Sequence, residues 1–171
     1  MPTRQTLPTI WLMTDARLGE RLWDAIARVP QGGGVVLRHH RGERAYAERV
    51  AEACAARAMM MAVAGDVALA RAVGAAMVHN PTVAADELLV SRSVHDEDEA
   101  MAARSADLVF VSPVFATASH PGTAGLGIER ALGLARLARV PAIALGGMDK
   151  MRGTAAIRAG FHGWAGISAF R

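Results

Sequence analysis

Eight short apolar runs, none with a polar residue at every second position, constrain this chain more than any other feature. They are "TIWLMT", "VVLR", "AMMMAV", "AAMVH", "ELLVS", "DLVFVS", "PAIALGG" and "GWAGISAF", starting near residues 9, 35, 58, 75, 88, 107, 141 and 163. A strand with one wet face alternates, whereas a parallel strand covered on both faces reads as continuous apolar sequence. Helical patterns separate most of the runs. In "LGERLWDAIARV", Leu18, Leu22, Ile26 and Val29 fall on one face, and "ERAYAERVAEACAAR", "VALARAVG", "DEDEAMAARS", "GIERALGLARLA" and "KMRGTAAIRAG" read as helices too. Strand alternating with helix points to a parallel α/β fold. Eight units fit a (β/α)8 TIM barrel, with an open doubly wound sheet as the rival. At 171 residues the chain is short against the ~250 typical of such barrels. The connection "HNPTVAAD" is too short for a full helix, and the sequence stops directly after the eighth run. The expectation is therefore a compact barrel, one domain over residues 1–171, with shortened or missing helices after strands 4 and 8.

Composition removes several function classes. A chain that is 52% hydrophobic and 20% charged reads as soluble and globular. Its only cysteine, Cys54, excludes an intrachain disulfide framework and fits a reducing compartment. No apolar run approaches the ~18–20 residues of a membrane span, and the first residues lack the pattern of a secretory signal. A cytoplasmic protein without a membrane partner is expected. The formal charge is +3, carried by scattered arginines with Lys150 the sole lysine, and aromatics make up only 5%. Without a basic cluster or stacking residues, nucleic acid is not an expected partner.

In a parallel barrel, chemistry sits on the loops at the C-terminal strand ends. Here those ends read "LRHH", "AVAGD", "VHNP", "SRSVH", "SPVFATASH", "LGGM" and "GISAF". Gly146 and Gly147, and the glycine and serine of "GISAF", have the makings of a backbone-amide phosphate cradle. A simple tight turn accounts for Gly-Gly equally well.

These residues also carry a family resemblance. "SVHDEDEA", "ADLVFVSPVFATASHPGTAGLGIER", "VPAIALGGM" and "AGFHGWAGISAF" resemble the thiamine phosphate synthase/TenI family in order and spacing, with "GGVVLRHH" and "DVALARAVGAAMVH" as weaker matches in the first half. The resemblance implies a (β/α)8 barrel in thiamine biosynthesis. The synthases couple hydroxymethylpyrimidine diphosphate to thiazole phosphate and release pyrophosphate with Mg2+. It implies phosphate binding at Gly146, Gly147, Gly166, Ile167 and Ser168, catalysis by Arg38 and His120, and substrate contacts from His40, Ser93, Thr117 and Ser119. His95 also matches a family histidine, although a capping or core role suits it better.

The departures are equally specific. His120 stands where the synthases have a loop lysine, Val36 where they have a pyrimidine-reading glutamine, and His40 where they have a second lysine. Their strand-three Asn-Asp pair falls on Ala64 and Gly65, leaving Asp66 one position late, and their second metal carboxylate is matched only by a displaced Asp86. Asp66 and Asp86 are thus the candidate Mg2+ ligands, in a motif that has lost its shape. Three functions follow: a divergent synthase, a TenI-like thiazole tautomerase, or a non-catalytic protein that binds a phosphorylated thiazole. Wall strands left without a covering helix would expose apolar surface, so a homodimer is also expected.

Overall fold

The computed structural model describes residues 6–40, 43–117 and 124–170. Eight strands run β1 (Ile10–Met13), β2 (Gly34–Leu37), β3 (Met60–Ala64), β4 (Met77–His79), β5 (Leu89–Val94), β6 (Leu108–Val111), β7 (Ala142–Leu145) and β8 (Gly163–Gly166). Each pairs in parallel with the next, and β8 pairs with β1 in the register Ile10–Trp164, Trp11–Ala165 and Leu12–Gly166. The barrel is closed, which settles it against the open sheet. Among the described residues six α-helices cover it: α1 (Arg21–Arg28), α2 (Arg44–Ala55), α3 (Val67–Ala72), α4 (Glu97–Ala102), α5 (Ile128–Ala138) and α6 (Lys150–Ala159). No helix joins β4 to β5, and none follows β8 among the described residues. No described helix is long and apolar enough to cross a membrane.

The unbroken apolar runs have a two-sided purpose. In β1, Trp11 and Met13 point into the barrel while Leu12 faces the helices; in β6, Leu108 and Phe110 point in while Val109 and Val111 face out. Alternate side chains therefore enter two different cores, and neither face needs to be polar. The interior is packed solid by Trp11, Met13, Val36, Met60, Met77, Phe110 and Ile143, all at most 4% exposed. Phe110 meets the Trp11 ring edge-on at 5.5 Å, and Trp11 Nε1 donates to the Pro8 carbonyl at 2.8 Å, so the indole closes the N-terminal end with its one polar atom satisfied. Gly34 makes room for it: a Cβ there would fall 2.3 Å from Trp11 Cε3.

Polar residues enter the interior only near the C-terminal ends. His79 and Ser91 are buried among the strands, and Arg38 and Ser93 follow in the same inward phase beyond Val36 and Ser91. That end is the mouth, and the other is sealed.

Candidate functional site

The mouth is built from strand-end segments that bond to one another. At β1 and β2, Arg38 N–H donates to Thr14 Oγ1 at 2.8 Å, and Arg38 Nε donates to the Thr14 carbonyl at 2.7 Å. Asp15 Oδ2 lies 3.8 Å from Arg38 Nη2. The same carboxylate accepts Arg17 Nε at 2.7 Å, Arg17 Nη2 at 2.9 Å and the Arg17 backbone N–H at 2.9 Å. Hydrogen bonding from Arg17 holds Asp15 well below the usual carboxylate range, against a desolvation that pushes the other way. Burial lowers Arg38 from its ordinary value and Asp15 opposes it. His40 Nε2 donates to the Ala64 carbonyl at 2.8 Å, which fixes where one ring proton sits. Thr14, Asp15, Arg38, His40 and Tyr46 line a cavity of about 210 Å³ beside the barrel axis.

Across the mouth lies a neutral network. His79 Nδ1 is 3.0 Å from Ser91 Oγ, and His79 Nε2 is 3.2 Å from Ser93 Oγ. Asn80 Nδ2 donates to Ser93 Oγ at 3.0 Å, and the Ser93 N–H donates to Asn80 Oδ1 at 2.9 Å. With its lone pair engaged by Asn80, Ser93 Oγ–H is directed at His79 Nε2, leaving Nδ1 to donate to Ser91. Burial, reinforced by Arg38 and Arg92, pushes His79 down to about 4. A histidine 4% exposed, with Phe110 edge-on at 5.3 Å, is held neutral and fixes the Ser93 hydroxyl.

The third part is the cradle. Thr117, Gly147, Ile167, Ser168 and Arg17 line one cavity of about 360 Å³. Gly146 and Gly147 have φ of +99° and +62°, and a Cβ on either would meet Pro113 Cα at 2.7 Å or the Ala116 carbonyl at 2.5 Å. Neither position tolerates a side chain, so the turn keeps bare backbone at the cavity wall. Arg152 braces it, with one guanidinium N–H on the Gly147 carbonyl and its charge 4.7 Å over the Phe115 ring. Gly166 ends β8 directly before Ile167 and Ser168.

The remaining candidates fall elsewhere. Ser119 and His120 lie outside the described residues. His95 precedes Asp96, the N-cap of α4, and is exposed rather than in the core; its N–H donates to Glu99 Oε2 at 2.7 Å. Asp66 caps α3, accepting the Leu69 N–H at 2.8 Å. Asp86 pairs with Arg71 Nη2 at 3.0 Å. Arg71 is in the last turn of α3, which runs down toward the start of β4, so Asp86 sits at the sealed end. The two carboxylates therefore do not meet, and no group of three possible metal ligands occurs among the described residues. They do not fit a shared Mg2+ site. Asp66→Ala is expected to cost about 1 kcal/mol of stability as a lost cap. Asp86→Asn is expected to leave stability and any Mg2+ response of turnover unchanged. Denaturant melts and Mg2+ titrations check both; a tenfold shift in Mg2+ response for either variant contradicts the reading.

The sequence reading passed over Thr14, Asp15, Arg17, His79, Asn80 and Arg152. Five of them follow a strand or end one, which was the available signal; Arg152 is one turn into a helix.

The family model for thiamine monophosphate synthase (TMP-TENI) matches residues 12–170, from β1 past the end of β8. The chain belongs to the thiamine monophosphate synthase family. A protein of Aquifex aeolicus named "Putative thiamine-phosphate synthase 2" is 32% identical over 84 residues, which span 48% of this chain and 45% of that relative. The thiamine phosphate pyrophosphorylase of Pyrococcus furiosus superposes with a TM-score of 0.80 at 21% identity, over 98% of this chain and 89% of that one. The corresponding structure from Bacteroides thetaiotaomicron gives 0.64 at 19%, over 95% and 84%. At those identities the two structures speak for the fold.

Proposed function

We propose that this family member couples hydroxymethylpyrimidine diphosphate to thiazole phosphate, forming thiamine phosphate. The observation that carries this reading is the family match across the whole barrel, from residue 12 to residue 170. In the reaction the C–O bond between the pyrimidine methylene and the diphosphate breaks, positive charge builds on the methylene, and the thiazole nitrogen forms the new C–N bond. Pyrophosphate leaves as an anion.

The chain's own groups suit those demands. Backbone N–H groups at Gly146, Gly147, Ile167 and Ser168 are to take the thiazole phosphate, with Thr117 beside them. Arg38, braced by Thr14 and Asp15, supplies a fixed cation toward the departing diphosphate. Ser93 offers a hydroxyl held by His79 and Asn80, and His40 stands at the same mouth with its Nε2 on the Ala64 carbonyl. Ser119 and His120 complete the assignment from the sixth-strand loop. Mg2+, where used, would supply charge neutralisation on diphosphate oxygens; Asp66 and Asp86 do not hold it.

The test is a coupled incubation of purified protein with both substrates, with and without Mg2+, read by chromatography for thiamine phosphate. Product that rises with enzyme concentration is expected. No product at high enzyme concentration with Mg2+ overturns the reading. Conversion of a thiazole carboxylate phosphate alone would move the chain to the isomerases, and binding without turnover would make it a carrier.

A further inference from the structure

We propose that Arg152 is a positioning residue of the phosphate cradle: it fixes the backbone of the Gly-Gly turn so that the Gly147 and Met148 N–H groups stay aimed at a bound phosphate. The assignment rests on the cradle reading above and gives it a side chain that acts through the backbone. Arg152 reaches the turn from α6, three residues past the Asp149 cap, and lines the same cavity as Thr117, Gly147, Met148 and Ser168.

The need for such a residue follows from the glycines. Gly146 and Gly147 keep φ of +99° and +62°, and a β-carbon on either collides with the segment after β6, so no larger residue can stiffen the turn. Two consecutive glycines leave the peptide planes around them easy to rotate, and a rotated plane carries its N–H away from the ligand. A trans peptide is planar, so a carbonyl held on one side fixes the N–H on the other. In this turn both carbonyls are held. The Gly146 carbonyl accepts the Phe115 N–H at 3.1 Å, which fixes the Gly147 N–H. The Gly147 carbonyl accepts an Arg152 guanidinium N–H, which fixes the Met148 N–H. This second bond is charge-assisted, the stronger class of the two.

The same side chain fastens the turn to the segment that follows β6. Its guanidinium stands 4.7 Å over the Phe115 ring, two residues before Thr117. Beneath it the Val114 N–H donates to the Leu145 carbonyl at 2.8 Å, so this segment continues the β6–β7 ladder past the strand ends. One group thus touches both segments that carry the cradle and its neighbour Thr117. The charge of Arg152 is not assigned to the ligand. Asp149 lies 3.9 Å from Arg152 Nε, and it caps α6 by accepting the Arg152 N–H at 2.8 Å. What the position supplies is a hydrogen bond to backbone.

The experiment compares wild type, Arg152→Ala, Arg152→Met and Arg152→Lys by calorimetric titration with thiazole phosphate and the unphosphorylated thiazole alcohol, and by amide NMR spectra of the unliganded protein. Arg152→Met covers Phe115 without a donor, and Arg152→Lys keeps a donor and a charge. Arg152→Ala and Arg152→Met are expected to weaken thiazole phosphate by about tenfold and the alcohol by less than about twofold. Arg152→Lys recovers part of the loss. In Arg152→Met the Met148 amide resonance shifts, because its peptide plane has lost the bond at the Gly147 carbonyl. In turnover the loss falls on KM for thiazole phosphate, while KM for the pyrimidine diphosphate stays near wild type. The melting temperature does too, since the Arg152 side chain is 44% exposed. Unchanged thiazole phosphate affinity in Arg152→Met overturns the proposal, as does a wild type that binds no thiazole phosphate. An equal loss for phosphate and alcohol, or loss of the cooperative melt, overturns it as well, since either marks a general structural role. Weakened affinity with an unmoved Met148 resonance overturns it too, by making Arg152 a direct ligand. If wild type binds thiazole phosphate in an Arg152-dependent way but makes no thiamine phosphate, the synthase reading falls and this one stands. Thiamine phosphate formed alike by wild type and Arg152→Met, with equal KM values, gives the reverse.

Discussion

Gly147→Asp is expected to abolish binding of thiazole phosphate and inorganic phosphate, with affinity falling on the order of 100-fold or more. Two effects act together. The backbone at Gly147 sits at φ +62°, where a β-carbon is disfavoured, and the new Cβ would lie 2.5 Å from the Ala116 carbonyl and 2.9 Å from Phe115 Cβ. The turn must move, and its amides move with it. The carboxylate then places like charge against the incoming phosphate. Gly147→Ala separates these contributions, since it keeps the steric clash without the charge and should lose less. Calorimetric titration measures both, and a circular-dichroism melt of each variant shows whether the barrel still folds. Retained phosphate affinity in a folded Gly147→Asp would remove the cradle from the site.

The second large effect is a loss of stability on mild acidification, carried by His79. The folded state holds this imidazole neutral to about pH 4, while in the unfolded chain it takes a proton near its ordinary 6.5. The unfolded state therefore binds more protons between those values. Stability is fully present above pH 6.5 and is lost as pH falls toward 4, by on the order of 3 kcal/mol. Asp15 acts in the same direction but only below the ordinary carboxylate range, so the window from 6.5 to 4.5 isolates the histidine. Urea unfolding of wild type and His79→Gln at pH 7 and 4.5 checks this. The variant starts less stable, having lost its bonds to Ser91 and Ser93, but its pH dependence in the window should be flatter by roughly 2–3 kcal/mol. Equal slopes would show that His79 does not set the acid response.

The barrel was legible because each strand carries its own signal. A run such as "DLVFVS" buries both faces, and period-two alternation between two apolar cores looks the same in sequence as uniform hydrophobicity. The breaks were legible too: "HNPTVAAD" has no room for a helix, and none joins β4 to β5. Parts of the site were legible where a single residue type imposes itself, as at Gly146 and Gly147. What stayed hidden were the pairings. Asp15 and Arg38 are 23 residues apart, and His79 meets Ser93 across 14; only strand register brings them together. Asp66 was misleading for a simpler reason. An aspartate directly before "VALARA" is a helix cap by position, and the metal motif matched beside it obscured that signal. Asp86 follows a loop whose path down to Arg71 is set by tertiary contacts that no spacing rule contains.

The indole of Trp11 and the packed stem above it have a kinetic meaning. With no passage through the axis, the site is a cul-de-sac, and anything entering must also leave by the same door. The coupling reaction proposed above would bring two substrates and two products through that one opening. On that reading, arrival and departure would follow an order, and product lingering at the entrance would slow the next turnover.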